Sequence, residues 1–177
     1  MIKTKINCFY YMRHNDVYVS NVIFSNDKLL SLLNIFFDGK VFVLIELDLN
    51  CVQTLSLICK TIGITDVKSN NKESRFIMVC SKAELLLLLK QTNMNCIEGI
   101  FVANINKEIV LSEYMQSLEY TTNSMVKKGS FDISISINFP ENQMVISSRK
   151  GKYNVAYIKE TIRRWLGQSG DGSVIDG

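Results

Sequence analysis

The residues that could carry acid–base or nucleophilic chemistry are few in this chain. His14 is the only histidine among the 177 residues, and it lies in the turn-like sequence RHND. A Ser–His or Cys–His nucleophile would have to use this residue, and no spacing assigns it a partner. We therefore favour a solvated turn histidine, and a site built from several histidines is excluded.

Carboxylates near apolar segments offer a second kind of chemistry. Glu46 and Asp48 follow the apolar run VFVLI, and Asp66 and Lys68 form an acidic-x-Lys element. Sites in α/β proteins are often built at strand ends, and a magnesium site needs convergent carboxylates. These residues raise the hypothesis of a metal-dependent enzyme. A helix cap at Asp48 and a charged loop explain them more simply, and we favour that explanation.

The sequence contains no motif for a cofactor or a structural metal. Neither GxGxxG nor GxxxxGK[ST] occurs, so dinucleotide and P-loop chemistry are not expected. The five cysteines form an odd set without a CxxC pair, which is typical of reduced, mostly buried thiols in a cytosolic protein. We predict no catalytic residue, no metal and no cofactor, and we classify the chain as non-enzymatic.

Positive charge is concentrated in the C-terminal third of the chain. Up to residue 122 there are 12 basic and 12 acidic residues, whereas residues 123–170 hold 8 basic and 3 acidic ones. Such a cluster, interleaved with aromatic residues, could bind nucleic acid, complement an acidic protein, or simply be a solvated surface. The net charge of +3 is small for a dedicated nucleic-acid binder. The candidate partner-binding residues are Arg149, Lys150, Lys152, Lys159, Arg163 and Arg164.

Five helices are predicted to position these residues, at about 25–38, 50–63, 81–91, 106–120 and 154–166. Ser25 and Ser81 stand at N-cap positions, and Gly39 and Gly63 follow the ends of the first two helices. The longest apolar runs are five residues, whereas a membrane-spanning helix needs about 20. No membrane segment and no signal peptide are therefore expected, and the predicted location is the cytoplasm.

Strands are predicted between the helices. The first two form a hairpin around RHND, three are single buried strands, and the last two form a hairpin over residues 131–148. In FDISISINF, alternate apolar residues share one face of the strand, namely Phe131, Ile133, Ile135 and Ile137. The other face is expected to be exposed to solvent. An exposed edge of this hairpin would allow a partner to add a strand. Residues 66–75 are predicted to be a polar loop.

The predicted element order is ββαβαβαβαββα. It favours a single α/β or α+β domain, residues 1–166, with a mixed β-sheet flanked by helices, followed by a flexible glycine-rich tail, residues 167–177. The segments SNDKLLSLLN (25–34) and SKAELLLLLK (81–90) are similar, which suggests an internal βαβα duplication. Capped leucine-rich helices also resemble one another without common descent, and we favour that explanation.

A run of five leucines, 85–89, lies in the third helix. Ser81 and Glu84 have the spacing of a capping box, and four of the leucines share an arc of about 160° that fits a core-facing stripe. Leu87 falls on the other side, where the similar helix has Ser31. It is either a single exposed leucine, which is common on folded surfaces, or a contact for a partner.

These features favour a small, non-catalytic cytosolic protein that binds another protein. A bacterial toxin-neutralising immunity protein is one such class, by analogy only, because such proteins are compact and often lack motifs. The alternatives are a nucleic-acid-binding module that uses the basic cluster, and a metal-dependent enzyme that uses Glu46, Asp48 or Asp66. The oligomeric state is left open.

Overall fold

The computed structural model describes residues 6–8, 16–70, 74–106, 108–114, 131–149, 153–168 and 174–176. Seven of the described strands form one sheet in the spatial order β2-β8-β7-β6-β3-β5-β4. The strands of this sheet are Asp16–Ser20 (β2), Lys40–Leu47 (β3), Val67–Asn70 (β4), Arg75–Ser81 (β5), Ile97–Ile105 (β6), Phe131–Asn138 (β7) and Gln143–Ser148 (β8). Two short strands, Ile6–Cys8 (β1) and Val174–Asp176 (β9), form a separate parallel pair.

Four α-helices of the described residues pack on one face of this sheet. They are Asn26–Phe36 (α1), Val52–Ile62 (α2), Lys82–Gln91 (α3) and Val155–Gln168 (α4), and their apolar side chains join one core with the strands. Helix α3 packs against both α1 and α2. The opposite face carries a smaller core, in which Phe42 and Phe101 pack against Leu111 and Tyr114 of a 3₁₀ turn, Leu111–Tyr114.

The central strand β3 explains why both faces must be covered. Each of its residues from Val41 to Ile45 is fully buried, as the unbroken apolar run VFVLI predicts for a strand inside a sheet. The α+β class and the single domain are therefore confirmed. All six pairings of the seven-stranded sheet are antiparallel, so it is not the mixed sheet that the sequence analysis predicted.

Strand pairing bears on two sequence-based predictions. Among the described residues, β1 pairs with β9 and β2 pairs with β8, so the predicted first hairpin is not seen there, although β1 and β2 lie close together; residues 9–15 lie outside the described residues. The hairpin of β7 and β8 has no free edge, because β6 and β2 flank it on its two sides. The proposed strand addition at that hairpin is therefore wrong, and the outermost strands are β2 and β4. Strand β4 itself lies in the stretch that was predicted to be a polar loop.

A bulge in β7 corrects the predicted face of Phe131. The register runs from Ile105 opposite Phe131 to Ala103 opposite Ser134, so β7 contains one residue more than β6 over this stretch. An extra residue reverses the alternation of side chains. Phe131 consequently joins the smaller core, while Ile133 faces the helices.

The predicted element order and duplication are not confirmed. Helix α1 connects β2 to β3, which lie four positions apart in the sheet, whereas α3 connects β5 to β6, which flank β3. Of the predicted helix at 106–120, the described part contains only the 3₁₀ turn, and residues 107 and 115–120 lie outside the described residues. The boundary at residue 166 and the flexibility of the tail stay predictions.

Candidate protein-binding surface

Helix α3 begins where the capping box predicts. The backbone N–H of Ser81 donates to Glu84 Oε2 at 2.7 Å, and the N–H of Glu84 donates to Ser81 Oγ at 3.2 Å. The Ser81 backbone N–H, followed by its hydroxyl, lowers the pKa of the Glu84 carboxyl. Because this cap fixes the first residue of the helix, it also fixes which leucines face the sheet.

The leucine run divides as its helical wheel predicts. Leu85, Leu88 and Leu89 are fully buried and Leu86 is half-buried. Leu87 is 45% exposed and lies on the side of α3 that faces away from the sheet.

Helix α2 presents a second exposed leucine beside Leu87. Its buried residues are Val52, Leu55 and Cys59, and Leu57 lies on the opposite side with 65% of its surface exposed. The two helices run antiparallel, because the start of α2 is bonded to the segment that follows α3. Leu57 and Leu87 each stand near the middle of their helices, and neighbouring helix axes lie about 8–10 Å apart. From this packing of α2 against α3, we infer that the two side chains lie near each other on the outer surface.

Two exposed lysines flank this leucine pair. Lys60 and Lys90 each follow their leucine by three residues, which places them on the same side of their helices. Since α2 and α3 are antiparallel, the two ammonium groups lie toward opposite ends of the pair. We call Leu57, Lys60, Leu87 and Lys90 the α2–α3 surface.

The equivalent position on α1 is also exposed, but it is hydrogen-bonded to another helix of the chain. Ser31, which corresponds to Leu87, accepts a hydrogen bond from the indole Nε1 of Trp165 at 2.9 Å. The same indole lies 3.3 Å from the carbonyl oxygen of Lys28, and Trp165 is buried in the main core. Helix α4 therefore contacts this side of α1 while Ser31 stays exposed, and Leu87 is the exposed residue at the matching position of α3.

A disulfide anchors α2 to the end of α3. Cys51 and Cys96 are bonded, with their Cα atoms 5.9 Å apart, a separation that is normal for a disulfide. They meet because the end of β3 pairs with the start of β6, where Leu47 lies opposite Ile97. This bond corrects the prediction of reduced thiols at these two positions, which no sequence motif predicts to pair.

Cys59 and Cys80 agree with the prediction of reduced, buried thiols, since both are free and buried. Burial raises the pKa of Cys59 to about 11. Burial, with the nearby charge of Glu84, raises the pKa of Cys80 to about 12. Both are therefore inert thiols at neutral pH. The side chain of Cys8 lies outside the described residues.

The basic cluster is divided between the two sides of the sheet. The guanidinium of Arg149 lies 5.7 Å from the centroid of the Phe131 ring, which belongs to the smaller core. Lys159, Arg163 and Arg164 are on α4, which packs on the other face, and Arg164 forms an ion pair with Glu160 at 2.9 Å. Lys150 and Lys152 lie outside the described residues. The role of the cluster in binding stays a prediction.

The candidate carboxylates do not converge. Glu46 binds Arg75 at 3.0 Å, and Asp48 accepts a hydrogen bond from the N–H of Asn50 at 2.9 Å, as expected of a cap.

Asp66 lies at the other end of the sheet. There it borders a cavity of about 460 Å³ with Lys40 and Glu108. The backbone carbonyl of Asp66 accepts a hydrogen bond from the N–H of Val79, and Val79 lies opposite Phe42 on β3. Phe42 is four residues, or about 13 Å, from Glu46 along β3, so Asp66 is far from Glu46. Within the described ranges, no group of three metal-ligating side chains occurs. His14 lies outside those ranges.

No family model matches the chain, and the comparison with curated proteins found no similar sequence. In the part of the chain that the structure describes, no helix is long and apolar enough to cross a membrane. The surface is therefore interpreted from its own chemistry. Sequence reasoning identified Leu87 and missed Leu57, although the same helical wheel, applied to α2, would have placed Leu57 opposite the buried stripe.

Proposed function

We propose that this protein is a non-catalytic binding protein and that it holds its partner on the α2–α3 surface. The observation that carries the proposal is that two leucines, 65% and 45% exposed, stand near the middle of two helices that pack against each other. Single exposed leucines are common, but adjacent ones form an apolar patch of the kind that marks binding sites. Helices packed on a sheet provide a rigid base for such a patch.

The partner we propose is an acidic amphipathic helix of another protein. Its apolar stripe would lie between α2 and α3 on Leu57 and Leu87, in the helix-in-groove mode. Lys60 and Lys90 are displaced in opposite directions from the leucines by about 4.5 Å each. Carboxylates about two turns apart on the partner helix would therefore face both ammonium groups, and this complementarity would select its orientation.

Within this class, a toxin-neutralising immunity protein is the specific role we propose. The support is a compact α+β domain without a three-ligand metal cluster in its described residues. In that role the acidic helix would belong to the toxin. A toxin reading frame next to the gene for this chain is the expected genomic finding, and its absence across related genomes would contradict the role.

A designed peptide tests the binding surface directly. The probe is a fluorescent, alanine-based helical peptide of 16 residues with two adjacent leucines between glutamates spaced seven residues apart. We expect saturable binding to the wild-type protein in fluorescence anisotropy. Leu57→Asp and Leu87→Asp should each weaken it at least about tenfold, because each buries a carboxylate against the apolar stripe.

Two controls make this test specific. Ile35→Asp alters a side chain on α1 that is 41% exposed, close to the exposure of Leu87, and should change the affinity less than about twofold. A peptide with lysines in place of the glutamates should not bind. Equal binding of both peptides, equal loss in Ile35→Asp, or no binding at millimolar peptide would refute the proposed surface.

A further inference from the structure

The start of α2 is held differently from the starts of the neighbouring helices. Ser25 caps α1 by accepting from the N–H of Lys28 at 3.3 Å, and α3 has the capping box of Ser81. A 3₁₀ turn, Leu49–Cys51, leads directly into α2, and Asp48 caps this turn by accepting from the N–H of Asn50 at 2.9 Å, whereas the side chain of Cys51 makes no capping hydrogen bond within the described residues. The Cys51 sulfur is instead bonded to Cys96.

Other contacts of α2 with the rest of the fold are modest. The helix buries three residues fully, whereas α1, of the same length, buries five. Besides the disulfide, the connection before α2 is held by the N–H of Asp48, which donates to the carbonyl of Cys96 at 2.9 Å. The covalent bond thus adds a tether, beside the Asp48 cap, at the start of a helix that buries fewer residues than α1.

We propose that the Cys51–Cys96 disulfide is a thiol-reversible lock that holds the first turn of α2 and thereby controls the α2–α3 surface. In the oxidised chain, α2 is fixed and Leu57 stays beside Leu87. In the reduced chain, the first turn of α2 loosens and the partner binds more weakly. The consequence for binding rests on the proposed function, whereas the lock itself does not.

The reaction is an exchange with a low-molecular-weight thiol such as glutathione. Two molecules of that thiol supply two electrons and two protons, the S–S bond between Cys51 and Cys96 breaks, and two cysteine thiols and one small disulfide are formed. Both cysteines are half-buried, so a small thiol has access to them. The buried thiols of Cys59 and Cys80 hold their protons at neutral pH, so they do not compete.

Backbone order parameters from ¹⁵N relaxation test the lock without any partner. On treatment with dithiothreitol, we expect the values for residues 52–55 to fall from about 0.85 to below about 0.6, the range of flexible backbone. Residues 27–36 of α1 should not change. The variant Cys51→Ser/Cys96→Ser should show the low values at once and should not respond to dithiothreitol, which controls for effects of the reagent.

Unchanged order parameters in the reduced protein would refute the lock, and so would a loss of order that extends equally through α1. Failure of glutathione disulfide to oxidise the pair, measured as free thiols by mass spectrometry, would refute it as well.

The glutamate peptide then separates the lock from the proposed function. We expect at least about fivefold weaker binding to the reduced protein. A loosened α2 with equal peptide binding would refute the control of the surface. A loosened α2 with no peptide binding in either state would refute the proposed function and leave the lock supported.

Discussion

At the scale of single residues, one exposed position on two similar helices differs in its tertiary contacts. Ser31 on α1 accepts from the Trp165 indole, a residue 134 positions away, while Leu87 on α3 is exposed. Both lie opposite the buried stripe of their helix. The helical wheel therefore predicts which side chains leave the core, and a residue distant in sequence decides which of them gain a tertiary hydrogen bond.

The Trp165–Ser31 contact gives a stability prediction. Ser31→Ala removes a hydroxyl that accepts from the indole at 2.9 Å and donates to the Lys28 carbonyl at 2.8 Å. We expect a loss of about 1 kcal/mol in the free energy of unfolding, or roughly 2–4 °C in Tm, by thermal denaturation. The hydroxyl of Thr61 bonds within its own helix, to the Leu57 carbonyl at 3.0 Å. If Thr61→Ala destabilises the protein equally, the tertiary bond has no energetic role.

At the scale of elements, capping residues and turn glycines set the helix boundaries. Ser25, Ser81 and the left-handed Gly63, with φ of +84°, all act at the ends where the sequence places them. These signals are local, since each bond joins residues at most four apart. The bulge that turns Phe131 to the smaller core has no such local signal, because it depends on the register with β6.

The capping box of α3 should make part of the stability depend on pH. Hydrogen bonds from Ser81 lower the pKa of Glu84 below its usual 4.5. A carboxyl whose pKa is lower in the folded than in the unfolded chain stabilises the fold at pH values above its unfolded-state pKa. This contribution is lost as the pH falls through the folded-state pKa. Glu84→Gln should therefore be less stable than the wild type at pH 7, and the difference should shrink below about pH 4. Urea denaturation over this range would measure it, and a difference that is constant with pH would contradict the prediction.

At the scale of the whole molecule, the disulfide joins segments that only the sheet brings together. Cys51 and Cys96 are 45 residues apart in sequence. Closing a loop of that length stabilises the folded state by roughly 4 kcal/mol in the chain-entropy model. Cys51→Ser/Cys96→Ser should therefore unfold at a clearly lower urea concentration than the oxidised wild type.

The same denaturation experiment contains its own control. Dithiothreitol should lower the urea midpoint of the wild-type protein toward that of Cys51→Ser/Cys96→Ser, and it should not shift the variant. A wild-type midpoint that dithiothreitol leaves unchanged would mean that the unfolded chain is not restrained by this bond.

The sequence by itself determined an α/β or α+β class, the central buried strand, the approximate positions of α1 to α4 and the outward direction of Leu87. Each of these depends on periodicity or capping within a dozen residues, where local sterics and hydrogen bonds act. It also indicated the buried free thiols Cys59 and Cys80.

Only the tertiary structure decided the strand neighbours, the face of Phe131, the pairing of Cys51 with Cys96, and the adjacency of Leu57 and Leu87 on the outer surface. The physical reason is common to all four. Each depends on contacts between segments tens of residues apart, and antiparallel strands can pair with many partners that have the same alternation of apolar residues. The packing of the whole sheet and its helices selects one of them.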